Sequence, residues 1–297
     1  MPKIIDLHTH STASDGDDSP SHLVHAVLRA NVDVFALTDH DTLSGISEAA
    51  NAVQNTGTTM VPGIELSAQV IDPFPDSKPR SVHLLGYLVD LESPELLDEI
   101  EKIRTHRADR LEKMVQKLSA DFDLSWEEVQ HSMPIGATPG RPHIAQVLVD
   151  RGYFRNTSEA FDGPLRANSP YHVPHYAPSL RLAIKLVIRA GGVPVLAHPF
   201  TDGRSGPVDH RKTVEEITSA YSELAALGLA GLEIEHRENT EKGKKILRAV
   251  ASELNLIVTG SSDYHGTKKP NALAENTTKL SELNRILELG SGSEPVS

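Results

Sequence analysis

Residues 3–10 read Lys-Ile-Ile-Asp-Leu-His-Thr-His, a short apolar run that stops on two histidines. The same design recurs along the chain. Val32–His40 runs through Thr38-Asp39-His40 into Asp41, Thr59–Ser67 carries Gly63-Ile64-Glu65, and Val82–Val89 includes His83. Val193–His198 ends on Ala197-His198-Pro199, Leu229–His236 on Glu235-His236, and Leu254–Thr259 leads into Asp263-Tyr264-His265. Short apolar runs of this length read as buried strands. Between them lie amphipathic stretches, Ser21–Ala30, Ser44–Asn55, Ser179–Ala190, Thr213–Leu227 and Thr240–Leu254, which read as helices. Strands alternating with helices predict an α/β fold of parallel strands joined by crossover helices. Seven strands suggest a distorted (β/α)7 barrel of TIM-like type; an open sheet is the alternative.

The alternation breaks in the middle of the chain. Pro94–Leu118 reads as one long charged helix, followed by shorter ones over Ser125–Ser132 and Arg141–Arg151, with no buried strand among them. The expected organisation is a barrel in two parts, 1–92 and 179–289, interrupted by a helical insertion over 93–178 that would act as a substrate lid. Residues 290–297 are rich in Gly and Ser and are expected to form a disordered tail.

Composition narrows the chemistry. The chain has 297 residues, 38% of them hydrophobic and 24% charged, and a net charge of −12, which argues against a double-stranded DNA partner needing a broad basic face. An anionic substrate stays open, because bound metals reverse the local sign. The absence of cysteine removes disulfides, thiolate metal sites and cysteine nucleophiles. No apolar stretch has the length of a signal peptide core or a membrane span, so no membrane partner and a cytoplasmic location are expected.

Residues at the C-terminal ends of strands in such folds face one pocket. Imidazoles and carboxylates are the ligands for Zn, Mn or Fe where thiolates are lacking. His8 and His10, two apart on an extended chain, point the same way, and Asp263 and His265 repeat that spacing. With Asp15, His40, Glu65, His83 and His198 they make nine candidate ligands, and Glu65 could bridge two ions. His22, His25, His106, His131 and His210 read as solvated helix or loop residues. Asp39 and Asp41, flanking His40, are candidates for orienting it or shuttling protons, with loop capping as the alternative. In Thr138-Pro139-Gly140-Arg141-Pro142-His143, Pro142 suits the first turn of a helix, so that turn and Arg141 could clamp a second phosphate. His236, at a strand end, is a candidate for a phosphate contact or an acid–base role, with a structural hydrogen bond as the alternative; His143, Tyr171 and His175 are weaker phosphate candidates.

At these residues the sequence resembles the PHP family, the polymerase and histidinol phosphatase superfamily. Four motifs occur in order: His8-Thr9-His10, Thr38-Asp39-His40, His198-Pro199 and Asp263-Tyr264-His265. The resemblance implies a distorted seven-stranded barrel holding two or three metals (Mn, Fe or Zn). It assigns His8, His10, Glu65 and Asp263 to the first metal, Glu65, His83 and His198 to the second, and Asp15, His40 and His265 to the third. Many family members carry histidine where Asp15 stands here. The runs HSTASDGDDSP, TDHDTLSG and GRPHIA resemble the stand-alone branch that removes the 3′-phosphate of nucleoside 3′,5′-bisphosphates and trims short RNAs from the 5′ end. The implied partner is therefore a small nucleotide or a short RNA end. Rival readings are a histidinol-phosphate-type phosphatase, a non-catalytic PHP module, and a metal-storage or sensor protein.

Overall fold

The structure, a computed structural model, describes residues 3–70, 80–166, 169–201 and 213–297. The chain begins with β1 (Ile5–Thr9), α1 (Pro20–Arg29), β2 (Val34–Leu37), α2 (Ile46–Val53), β3 (Thr59–Val70) and β4 (Arg80–Tyr87). Four helices follow, α3 (Pro94–Leu118), α4 (Trp126–Ser132), α5 (Arg141–Asp150) and α6 (Thr157–Asp162). Then come α7 (Leu180–Arg189), β5 (Val193–Leu196), α8 (Val214–Ala226), β6 (Gly231–Glu235), α9 (Glu241–Glu253), β7 (Ile257–Gly260) and α10 (Leu280–Leu289). The strands pair in sequence order, β1 through β7, in one sheet. The sheet nearly closes on itself: Thr9 bridges Tyr264 just beyond β7, and the Thr278 amide donates to the Ile5 carbonyl.

The packing explains the curl. Ile5, Leu7, Val34, Ala36, Val61, Leu85, Val195 and Ile257, from β1, β2, β3, β4, β5 and β7, meet in one cluster, which a flat sheet could not bring together. The other faces of the strands take the helices: Phe35 and Leu37 pack with Leu23, Val27 and Ala49 of α1 and α2. Leu84, Leu196 and Leu232 pack with Val187, Ile217 and Leu247 of α7, α8 and α9. Each fully buried Val, Leu, Ile or Phe among them contributes roughly 1.5–3 kcal/mol.

One expectation fails in a way that matters for the site. β4 is not parallel to its neighbours; it runs antiparallel to both β3 and β5, with Ser67 opposite His83 and Leu84 opposite Leu196. The reason lies in the connection. Residues 71–79 are too few for the crossover of a dozen or more residues that a parallel pair requires. His83 thus sits near the start of its strand, yet at the barrel end where the parallel strands finish.

The second correction concerns residues 290–297, which are ordered. The Val296 and Met60 amides each donate to the other's carbonyl at 2.8 Å, and the Ser293 amide donates to the Leu88 carbonyl at 3.0 Å. Small residues are needed for this fit, because a Cβ on Gly292 would lie 2.1 Å from the Ala190 carbonyl oxygen. The Gly/Ser composition marks close backbone approach, not freedom.

Helices α3 to α6 share a core of their own, including Leu111, Met114, Leu118, Val129, Ile144 and Leu148. The first half of α3 belongs instead to the barrel, through Leu96 and Ile100 packed with the α7 residues. Two helices absent from the sequence reading, α6 and α10, are short or fall beyond the last motif. Among the described residues no helix is long and apolar enough to cross a membrane.

Candidate metal centre

All nine candidate ligands meet at one end of the barrel, around Glu65. Its Oε2 lies 3.2 Å from His8 Nε2, 3.3 Å from His10 Nε2 and 2.9 Å from His40 Nδ1. Its Oε1 lies 2.9 Å from His83 Nδ1 and 3.3 Å from His198 Nε2. Asp263 Oδ1 faces His10 Nε2 at 3.2 Å and His8 Nε2 at 3.5 Å. Asp15 Oδ1 faces His265 Nε2 at 3.3 Å. Three groups have donor atoms mutually within 4.8 Å: His8 with His10 and Glu65; His40 with Glu65 and His83; and His10 with Asp15, His40 and His265. His40 is thus close to Glu65 as well as to Asp15, and His10 adjoins two groups.

The hydrogen bonds behind the rings fix which nitrogen is offered. The His8 Nδ1–H donates to Glu233 Oε1 at 2.9 Å, which leaves Nε2 with a lone pair toward Glu65 and Asp263. His265 Nδ1–H donates to the Asp263 carbonyl at 2.8 Å, again freeing Nε2. The Thr201 hydroxyl gives its proton to the His198 carbonyl, so its oxygen accepts from His198 Nδ1–H at 3.3 Å. His236 has the opposite arrangement. Its Nδ1 accepts from the Glu238 amide at 3.1 Å, so the neutral ring carries its proton on Nε2 and acts there as a donor.

A metal fits this arrangement. Asp15 Oδ1, His40 Nδ1, Glu65 Oε2 and His265 Nε2 are buried atoms with no hydrogen-bond partner, although they lie within ion-pair distance of one another. Such atoms are rarely left so unless they point at something else. Burial opposes the charge on Glu65, but His40, His83 and His8 outweigh it and hold the carboxylate well below its usual range. Asp263 is likewise held down, with Lys269 and His265 overcoming its burial. Two of the facing residues are in positive-φ backbone, His198 at 27° and Asp263 at 54°, strain of the kind that an over-determined site sustains.

Without metal, burial disfavours a charged His10, yet the carboxylates of Asp263 and Glu65 facing it raise its pKa to about 9. A ligand must be deprotonated, so ion uptake at neutral pH is expected to release protons and to weaken as the pH falls. Calorimetric titration with Mn2+ in two buffers of different ionisation enthalpy checks this; equal heats would contradict it.

The supporting residues were only partly foreseen. Glu233 was missed: it is fully buried in mid-strand, and beyond His8 it accepts from the His198 amide at 3.0 Å and from the Ser261 hydroxyl. Burial opposes its charge, but His8 and His236 bring its pKa down to about 2. The flanking aspartates take the capping alternative. Asp39 accepts from the Ser11 amide and hydroxyl and the Ser14 hydroxyl, and Asp41 from the Ser67 amide and hydroxyl and from Arg107. Those bonds engage both carboxylates away from His40, so the orienting and proton-shuttling role does not follow from their geometry.

At α5 the expectation of a phosphate held by the helix end is corrected. Its first turn caps itself: the Gly140 amide donates to His143 Nδ1, the His143 amide donates to the Gly140 carbonyl, and Pro142 has no N–H. The helix end therefore has few amides to give a phosphate. Arg141 donates to the Leu165 carbonyl at 2.8 Å and lies over Phe161. Tyr171 donates to Asp121 within the insertion. The arginines of α3 were not anticipated. Arg107 reaches from α3 to Asp41 and to the Pro139 carbonyl, tying insertion to barrel. Burial, then Arg141 and Arg107, lower Arg110 to about 9, and burial, then Arg110, Arg107 and Arg141, lower His175 to about 3. His22, His25, His106 and His131 are exposed, while His210 lies outside the described residues.

The comparisons agree with this geometry. The PHP domain family matches over residues 6–152. The 5′-3′ exoribonuclease Rnm of Salmonella typhimurium is 30% identical over 265 residues, covering 88% of this chain and 85% of its own. The 3′,5′-nucleoside bisphosphate phosphatase of Chromobacterium violaceum is 28% identical over 268 residues, covering 88% and 87%. A solved protein of Bifidobacterium adolescentis, assigned to the metal-dependent phosphoesterases, superposes with a TM-score of 0.88 at 34% identity over 98% of both chains. The chain belongs to the PHP family and is a metal-dependent phosphoesterase, an enzyme that hydrolyses phosphoric esters.

Proposed function

We propose that the enzyme removes the 3′-phosphate of nucleoside 3′,5′-bisphosphates, giving nucleoside 5′-monophosphates such as AMP, and trims short 5′-phosphorylated RNAs. The observation that carries this reading is the group of three arginines, Arg107, Arg110 and Arg141, whose charges together oppose protonation of His175 and, from Arg107 and Arg141, of Arg110. A cluster of like charges is costly unless anions join it; Asp41 offsets Arg107, and a second phosphate on the substrate would supply further negative charge. The two relatives whose names specify nucleoside bisphosphates and RNA 5′ ends support the same choice.

In this reading His8, His10, Glu65 and Asp263 hold one ion, and Glu65, His83 and His198 another. Asp15, His40 and His265 hold a third, with Mn, Fe or Zn as occupants. Bound there, the ions polarise the ester and lower the pKa of water, so no side-chain nucleophile is required. His236 offers its Nε2–H to a phosphate oxygen. Residues 93–178 serve as the lid whose arginines hold the phosphate that does not react.

Arg141→Ala separates recognition from hydrolysis. A charge-assisted contact contributes about 1.5–3 kcal/mol, which corresponds to a KM for adenosine 3′,5′-bisphosphate raised roughly 10- to 150-fold. Its kcat and the kcat/KM for p-nitrophenyl phosphate should hardly change, since uniform binding energy is absent from the chemical step. Equal losses on both substrates would exclude a second-phosphate contact.

A further inference from the structure

The tandem lysines after β7 do different things. Lys268 donates to the Asp15 and Gly16 carbonyls and pairs with Asp17, bracing the loop that carries Asp15. Lys269 instead reaches the metal centre, where its ammonium donates to Asp263 Oδ2 at 2.8 Å.

Asp263 is divided between two neighbourhoods. Oδ1 faces His8, His10 and His265, at 3.5, 3.2 and 3.5 Å. Oδ2 faces Lys269 and, at 3.8 Å, His236 Nε2. The ammonium therefore does not occupy the place between imidazoles and carboxylate where an ion would sit. An ammonium has three protons; among the described residues Asp263 accepts the only hydrogen bond from it. The side chain is 32% exposed, so the lysine lies at the edge between the buried ligands and solvent. Asp15, Glu65, Glu233 and Asp263 lie in one small volume; metal ions bound there would offset much of that charge, and a phosphomonoester dianion gains further from a fixed cation at the edge of the ligand cluster.

We propose that Lys269 is a catalytic residue whose ammonium binds a non-bridging oxygen of the phosphoryl group being hydrolysed, while resting on the outer oxygen of Asp263. It stays protonated throughout. A water oxygen forms the new bond to phosphorus, the ester P–O bond breaks, and the water proton passes to the departing alkoxide. Lys269 and the Nε2–H of His236 approach the same side of the centre, so the two donors hold the phosphoryl group from one flank. Lys269 thus holds the phosphate that reacts, whichever ester is the natural substrate.

The test uses the metal-loaded protein and the variants Lys269→Ala, Lys269→Gln and Lys269→Arg. Three quantities are measured: bound metal, kcat/KM for p-nitrophenyl phosphate and adenosine 3′,5′-bisphosphate, and the affinity for inorganic phosphate by calorimetry. Loss of one preorganised donor to developing charge typically lowers kcat by about 10²–10³-fold. Lys269→Ala and Lys269→Gln are expected to keep full metal content, lose that much on both substrates, and bind inorganic phosphate at least about tenfold more weakly. Lys269→Arg should recover part of each loss. Metal loss in both the Ala and Gln variants would overturn the proposal, because Lys269 would then only shape Asp263. Unchanged phosphate affinity would also overturn it, as would a loss confined to the bisphosphate, which would put Lys269 at the non-reacting phosphate.

Discussion

Glu65→Gln is expected to abolish turnover, lowering kcat by about 10³-fold or more, with loss of bound metal. The side chain keeps its size, so packing in β3 is not the issue. The charge and the donor pattern are. Both carboxylate oxygens face imidazole nitrogens, Oε2 toward His8, His10 and His40 and Oε1 toward His83 and His198. An amide can present an oxygen to only one side. Its NH2 would point at the lone pairs of the other side and satisfy them, closing the place where an ion would bind. Polarisation by a metal supplies several kcal/mol of transition-state stabilisation, and each tenfold in rate corresponds to about 1.4 kcal/mol. His265→Ala, at the edge shared with Asp15, should lose less. Metal analysis beside kcat on p-nitrophenyl phosphate decides the matter: near-normal turnover with normal metal content would mean that Glu65 bridges nothing.

What the sequence made legible follows from locality. Strand-end motifs such as His8-Thr9-His10 and Asp263-Tyr264-His265 carry their geometry in their own spacing, because alternate residues of an extended chain share a face. The long helix Pro94–Leu118 was equally plain from composition and from the proline at its start. Other features depend on residues far apart. Arg107 on α3 resembles any helix-surface arginine until its guanidinium meets Asp41, 66 residues away. The direction of β4 was readable in principle from the short 71–79 connection, but the apolar pattern alone is blind to strand direction. The ordered tail escaped because glycine and serine mark both loose chain and tight backbone contact, and only the facing Leu88 and Gly191 distinguish them.

Glu233 illustrates the same limit and carries the other large effect. In sequence it is the first of two glutamates in Gly-Leu-Glu-Ile-Glu, two residues before the more conspicuous Glu235-His236. Folded, it lies at full burial under His8 and His198, and everything around it donates: His8 Nδ1–H, the His198 amide and the Ser261 hydroxyl. Only an acceptor with two oxygens suits that surrounding. Glu233→Gln puts two N–H donors among these groups. The Ser261 hydroxyl can rotate to accept one, but the His198 amide cannot change. His8 relieves the remaining clash by moving its proton to Nε2, and that nitrogen then no longer offers a lone pair to an ion. Partners of this kind behind a ligand histidine typically account for 10–100-fold in metal affinity or activity, and about 100-fold weaker metal binding is expected here, since two ligand histidines lean on one carboxylate. Competition with a chromophoric chelator measures the affinity directly. Excess metal should restore most of the activity of Glu233→Gln, unlike that of Glu65→Gln, because the ligand atoms themselves remain. Unaltered metal affinity in Glu233→Gln would show that His8 keeps its tautomer without Glu233, and the second layer of the site would have to be redrawn around other residues.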